Sequence, residues 1–89
     1  MLASSSIHKL IKQAAEEYNM ETFKLKESES FVELNNLLQI MSWVGSGGEA
    51  KMRIKEGEVQ VNDEVELRVR KKVRSGEVVK LGTELCKVD

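Results

Sequence analysis

The chain is poor in several residue types, and each shortage narrows what it can be. It has no proline and a single cysteine, Cys86, which excludes an internal disulfide framework and makes a reducing, cytoplasmic location the expectation. The lone histidine, His8, cannot form a metal site with Cys86, and no local motif supports a Cys–His nucleophile. We therefore expect no cofactor and no enzymatic activity.

Long hydrophobic runs and aromatic residues are also scarce. The apolar runs are a few residues long, whereas a membrane helix needs about 20, so no membrane partner is expected. Aromatic residues are 4% of the chain. Single-strand binders stack bases on exposed rings, but most of these aromatics flank helices or lie on apolar faces, which favours core packing. Trp43 lies in a predicted loop, where core packing is favoured and contact with an RNA base is the alternative.

Charge is abundant but unevenly placed. The 89 residues carry a formal net charge of −1, which by itself argues against nucleic-acid binding. Residues 51–80, however, contain nine Lys and Arg against six Asp and Glu, and five of these cations fall within residues 68–74. The positive charge is thus concentrated in one third of the chain. A binding surface for phosphates and a solvated, lysine-rich strand edge both explain this run.

Hydrophobic spacing predicts one small α+β domain with an added N-terminal helix. Apolar residues from Ile7 to Tyr18 recur at helical spacing, so residues 1–20 are interpreted as an amphipathic extension that packs on the domain or on a protein partner. Residues 21–89 form the domain itself. A short strand is predicted around Phe23 and Leu25, where apolar and polar residues alternate.

Two capping boxes predict two short, closely packed helices. Ser30 precedes Glu33 by three positions and places a helix at residues 31–41, with an apolar stripe that includes Leu34 and Leu38. Ser46 and Glu49 repeat the pattern and start a second helix, which should end at Gly57.

From Val59 onward the apolar period changes to two, which predicts β structure. Val59 and Val61 share a face, as do Val65, Leu67 and Val69 after a tight turn at residues 62–63. Turns at residues 75–76 and 82–83 frame two further strands, at residues 78–81 and 85–88. The expected product is a small antiparallel sheet beside the helix pair.

Residues 46–63, which read SGGEAKMRIKEGEVQVND, resemble the core signature of the S4 RNA-binding domain. The signature is S-R-x-x-A-x-x-x-I-x-x-G-x-V-x-V-N-G, and the matches are Ser46, Ala50, Ile54, Gly57, Val59, Val61 and Asn62. Residues 74–79, RSGEVV, resemble the closing K/R-x-G-D-x-V element of the same family. The resemblance spans about residues 22–82 and is strongest to a subgroup of very small bacterial S4-like proteins.

The resemblance implies the S4-like fold, also called the alpha-L motif, and binding of structured RNA such as ribosomal or transfer RNA. Two family arginines are absent, because Gly47 follows the serine and Glu33-Leu34-Asn35 replaces Arg-Leu-Asp. These departures and the extra helix motivate the alternative of a protein-interaction module that does not bind RNA.

Eleven residues form the predicted RNA-binding surface, from the second helix, the turn and the basic run. The glycines before the second helix are interpreted either as a phosphate contact at a helix start or as turn and cap chemistry. The predicted surface comprises Gly47, Gly48, Lys51, Arg53, Lys55, Asn62, Arg68, Arg70, Lys71, Lys72 and Arg74.

Overall fold

The structure, a computed structural model, describes residues 19–89 as two helices packed against β structure. The helices are α1 (Leu34–Ile40) and α2 (Gly47–Lys55). The strands are β1 (Asn19–Phe23), β2 (Val32–Glu33), β3 (Val59–Val61), β4 (Glu64–Val65), β5 (Lys72–Val73), β6 (Val78–Leu81) and β7 (Glu84–Val88).

The larger sheet has five strands in the order β1-β7-β6-β3-β4. All neighbours are antiparallel except β1 and β7, which pair in parallel with Phe23 opposite Val88. The predicted antiparallel sheet is therefore corrected to a mixed one. Hydrophobic alternation marks a strand but not its partner, and β1 joins the last strand of the chain, more than 60 residues away in sequence.

A second, two-stranded sheet pairs β2 with β5 and joins the helices to the rest of the fold. Val32 lies opposite Val73, and both are buried. Fully buried side chains of α1, α2 and the large sheet meet in one core, which is the hydrophobic cluster expected for a domain of this size. Its members with no exposed surface include Leu34, Leu37, Leu38, Ala50, Ile54, Val59, Val73, Val79, Cys86 and Val88.

Helix α1 begins at Leu34, so the predicted start at residue 31 and the Ser30–Glu33 capping box are wrong. Glu33 is the N-cap in an extended conformation and makes no side-chain cap bond. The first amides of the helix donate instead to main-chain carbonyls of the segment before β5, Leu34 N to Lys71 O at 2.9 Å and Asn35 N to Val69 O at 3.1 Å. A distant segment supplies the acceptors that the sequence pattern assigned to Ser30.

Helix α2 begins as predicted. The amide of Glu49 donates to Ser46 Oγ at 3.1 Å, and the Glu49 carboxylate accepts from the amide of Gly45 at 2.7 Å. Ala50 and Ile54 are buried, and the chain leaves the helix through Gly57 at a φ of 79°. This φ lies in the left-handed region that glycine enters without a steric penalty.

The tight turn at residues 62–63 is confirmed, but the strand after it is much shorter than predicted. Asn62 and Asp63 have φ values of 52° and 68°, the left-handed pair that joins β3 to β4. Strand β4 ends at Val65, and Leu67, expected on a buried strand face, is 57% exposed. Residues 66–71 form a loop because their main chain turns away to reach the start of α1.

The N-terminal part of the domain also differs from expectation. The strand predicted around Phe23 and Leu25 is present but lies earlier, at Asn19–Phe23, and it overlaps the 1–20 extension by two residues. The helix predicted for residues 7–18 falls outside the described residues.

Candidate nucleic-acid interface

Residues 68–74, here called the basic segment, are held in place by main-chain contacts rather than by a strand. Its carbonyls at Val69 and Lys71 accept the first amides of α1, while the half-buried Val69 side chain packs on the core. Lys72 and Val73 then enter the short sheet with β2. The basic segment is therefore fixed to the start of a helix on one side and to a sheet on the other.

All five cations of the basic segment line one surface depression: Arg68, Arg70, Lys71, Lys72 and Arg74. The structure thus brings this part of the predicted surface together. The side chains differ, however, in how far their charge is already balanced.

Arg68 is paired with Glu66 in a two-bond contact. Arg68 Nε donates to Glu66 Oε2 at 3.0 Å, and the terminal nitrogen Nη2 donates to Glu66 Oε1 at 3.1 Å. The hydrogen bond from the guanidinium lowers the pKa of the Glu66 carboxyl and raises the pKa of Arg68. The charge of Arg68 is therefore balanced locally, within the loop that follows β4.

Two further cations face acids from neighbouring elements. Arg70 Nε is 3.8 Å from Glu33 Oε2, and the side chain of Arg70 remains 82% exposed. Lys71 Nζ lies 3.7 Å from Glu77 Oε2 and donates to the Lys72 carbonyl at 3.3 Å, and its side chain is only 19% exposed. Arg70 is therefore open to a ligand, whereas Lys71 is largely part of the scaffold.

Lys72 and Arg74 face an aromatic ring instead of an acid. The Lys72 ammonium lies 5.1 Å and the Arg74 guanidinium carbon 5.8 Å from the centroid of Phe31. Within residues 19–89 neither charged group has a carboxylate ion pair. A contact with an aromatic ring does not cancel the charge of either cation.

The cations of α2 occupy a different setting. Lys51 and Lys55 are exposed, as are Gly47 and Gly48 at the start of the helix. Arg53 contacts Glu58 at 2.9 Å and Glu49 at 3.7 Å, so its positive charge is balanced by two acids of the protein itself. Arg53 lines a separate depression with Trp43 and the turn at residues 82–84.

Asn62 serves the scaffold through both ends of its amide. Its Oδ1 accepts from the Val78 amide at 3.0 Å, and its Nδ2 donates to Glu77 Oε2 at 3.3 Å. Glu77 also accepts from the Arg74 amide at 2.8 Å. This acid therefore ties the turn after β3 to the end of the basic segment.

Trp43 is half-buried and packs on the core, as predicted. Its indole Nε1 is buried and lacks a hydrogen-bond partner among the described residues. Cys86 is fully buried, and burial raises the pKa of its thiol.

The sequence profile of the S4 domain family matches residues 23–89. The chain belongs to the S4 domain family. It is 43% identical, over 60 residues, to an Escherichia coli (strain K12) protein that bears the name "Putative RNA-binding protein YbcJ"; the match covers 67% of this chain and 84% of that protein. The "Uncharacterized protein YbcJ" of Shigella flexneri matches with the same identity and coverage.

A solved structure agrees with the fold of this S4 domain. The solution structure of YbcJ from E. coli superposes with a TM-score of 0.61 at 40% identity, covering 79% of this chain and 87% of that one. It is described as revealing an αL motif involved in RNA binding. The S4-like, alpha-L fold predicted from residues 46–63 is confirmed.

Residues 19–89 contain neither a candidate membrane span nor a candidate metal site. No helix within residues 19–89 is long and apolar enough to cross a membrane. No group of three or more His, Cys, Asp or Glu side chains in the same range is arranged to hold a metal ion.

Sequence reasoning missed two residues that shape this S4 surface. Phe31 was assigned to the core, and no local pattern could show that two cations from another strand lie over its ring. Glu77 was noted only as part of the closing RSGEVV element, yet its carboxylate contacts both the basic segment, at Lys71 and Arg74, and the turn at Asn62. The sequence signal for this role of Glu77 was its place in the closing element, where it occupies the acidic position of K/R-x-G-D-x-V.

Proposed function

We propose that this S4 domain binds structured RNA, of the ribosomal or transfer RNA class, through the basic segment. The observation that carries the proposal is the rigid attachment of open cations. Arg70, Lys72 and Arg74 project from a main chain that is fixed to α1 and β2, so they can match the spacing of phosphates without first being ordered.

The family and its relatives support the same function. The names given to YbcJ and to its structure refer to RNA binding, and this chain shares the fold at 40% identity. Phosphate contacts dominate the affinity of such proteins and make it salt-dependent. Specificity for structured RNA then follows from the geometry of the backbone rather than from base identity.

The test is binding of the full chain to folded transfer RNA across a series of salt concentrations. We expect the logarithm of the affinity to fall linearly with the logarithm of salt, with a slope on the order of −3 to −5 for four to six phosphates. The double variant Lys72→Ala/Arg74→Ala should bind roughly 10- to 100-fold more weakly at about 0.1 M salt, with a slope smaller by about 2.

The matched control is Lys24→Ala/Lys87→Ala. It removes the same charge from exposed positions beside β1 and β7, at the opposite end of the large sheet from β4. Its affinity should change by less than about threefold, the effect of screened net charge alone. Equal losses in both variants would contradict a localised site, and a salt-independent affinity would contradict the phosphate mechanism.

The alternative, a protein-interaction module on the same scaffold, has one observation in its favour. Val65 is 54% exposed and Leu67 57% exposed, beside the edge strand β4. Exposed apolar side chains next to an unpaired strand edge are a common feature of protein contacts. Absence of RNA binding even at low salt would favour this alternative, and truncation of residues 1–20 followed by sizing would test the predicted helix as its surface.

A further inference from the structure

A depression beside the basic segment has the chemistry of a nucleobase site. Both phenylalanines of the chain, Phe23 and Phe31, line it, together with Ile40. Polar side chains complete its walls, among them those of Ser30, Asn36 and Gln39. The lining is thus mixed, so a planar ring can stack on a phenylalanine while its edge meets hydrogen-bonding side chains.

The charges around this depression differ from one side to the other, and they favour different parts of a nucleotide. Glu29 and Glu33 line the depression itself and would repel a phosphate, although they can accept hydrogen bonds from a base amino group. The cations lie at the Phe31 side, where Lys72 and Arg74 approach the ring at 5.1 and 5.8 Å. A nucleotide with its base in the depression can therefore place its phosphate against these two cations.

Phe31 is the residue that connects the two halves. Phe31 is half-buried and lines the depression, while Lys72 and Arg74 lie over its ring. The adjacent Val32 is buried opposite Val73, which fixes the main chain at this point. The ring is thus pre-positioned, and stacking on it needs little ordering of the protein.

We infer that the depression lined by Phe23 and Phe31 receives one unpaired RNA base, which stacks on Phe31 while Lys72 and Arg74 hold its phosphate. The inference rests on the proposed RNA-binding function and deepens it. The protein then recognises an interrupted helix, with a bulged or splayed nucleotide, in preference to a continuous duplex. Stacking is sequence-tolerant, so a preference for unpaired structure is expected before any preference for one base.

The experiment compares a short RNA duplex with the same duplex carrying one bulged adenosine, using the full chain. The wild-type protein should bind the bulged RNA about 5- to 100-fold more tightly, the range of one base stacked on an aromatic ring. Phe31→Leu keeps an apolar side chain but has no ring, and it should bind the two RNAs with equal affinity. Phe31→Tyr keeps the ring and should keep the preference.

A spectroscopic measurement makes the result independent of affinity. With 2-aminopurine in place of the bulged base, binding to the wild type should change its fluorescence through stacking, and binding to Phe31→Leu at saturation should not. Thermal unfolding of each variant checks that the fold persists.

The outcomes separate this inference from the function on which it rests. Tight, equal binding of duplex and bulged RNA by the wild type would overturn the base site and leave RNA binding intact. A preference that survives in Phe31→Leu would also overturn it, because flexibility of the bulged RNA would then explain the preference. Failure to bind either RNA at low salt would overturn both proposals.

Discussion

Two regions of this protein are rich in lysine and arginine, and they differ both in net charge and in structure. Residues 47–58, which contain α2, carry three cations and three acids, while residues 66–74 carry five cations and one acid. In the first region Arg53 is neutralised by Glu49 and Glu58. In the second, Arg68, Arg70 and Lys71 each face an acid. Within residues 19–89 each region keeps two cations without an ion pair, but only Lys72 and Arg74 lie together over an aromatic ring. A count of lysines and arginines is therefore a poor guide to a binding surface unless their partners are known.

The two regions are also held differently. Helix α2 is stabilised by its own residues, through the Ser46 cap and the buried Ala50 and Ile54. The basic segment has little regular structure and depends on α1, which takes its carbonyls as acceptors. A loop fixed in this way presents cations as steadily as a helix does, and it can place them beside an aromatic ring contributed by another strand.

The largest expected effect tests the difference in net charge between the two regions. Lys51→Ala/Lys55→Ala should weaken RNA binding at about 0.1 M salt by no more than about threefold, because the acids around α2 cancel most of its field. Lys72→Ala/Arg74→Ala, with the same loss of charge, should weaken it roughly 10- to 100-fold. Titration of a labelled transfer RNA with each variant measures both. If the helix variant lost as much as the other, the contact surface would have to extend across α2.

A smaller effect tests how each helix start is stabilised. Ser46→Ala removes an acceptor used by the Glu49 amide and should lower the free energy of unfolding by about 1 kcal/mol. Ser30→Ala, at the matching position of the other apparent capping box, should change it by only a few tenths of a kcal/mol, because the α1 amides donate to Val69 and Lys71. Urea denaturation of the two variants is a direct comparison. Equal losses would mean that Ser30 does cap α1 in solution.

The smallest effect concerns Glu66, the acid two residues before the basic segment. Its pKa is lower in the folded protein, owing chiefly to the hydrogen bond from Arg68. A carboxyl with a lowered folded pKa stabilises the fold above its unfolded pKa, and this contribution is lost as pH falls through the folded value. The stability difference between wild type and Glu66→Gln should therefore be greatest near neutral pH and shrink under acidic conditions.

The same variant should sharpen the comparison of the two regions. Glu66→Gln frees Arg68 and should raise RNA affinity by a few fold, with a steeper dependence on salt. The corresponding change beside α2, Glu58→Gln, leaves Arg53 in contact with Glu49 and should have a smaller effect on affinity. An equal gain from both changes would show that net charge alone governs binding.

Much of the fold could be predicted because it depends on local chemistry. The Ser46 cap, the left-handed turn at Asn62 and Asp63, and the glycine that ends α2 each follow from residues within a few positions. Buried positions such as Ile54 and Val61 followed from periodicity, since the side chains of one helix stripe or one strand face share an environment. The S4 signature combines these local features at fixed spacing, and that made the family recognisable.

The pairings between distant segments were determined by the tertiary structure alone. Ser30 and Ser46 begin the same motif, yet only Ser46 caps a helix. The first amides of α1 donate to the carbonyls of residues 69 and 71 and not to Ser30. No local pattern predicts the parallel pairing of β1 with β7, because the alternation of apolar and polar residues within a strand does not specify the strand beside it. The position of Phe31 beneath Lys72 and Arg74 results from the pairing of β2 with β5, two strands that lie about 40 residues apart in sequence. Residue type and spacing determine what each segment can form, and only the folded chain determines which charges are left free to bind.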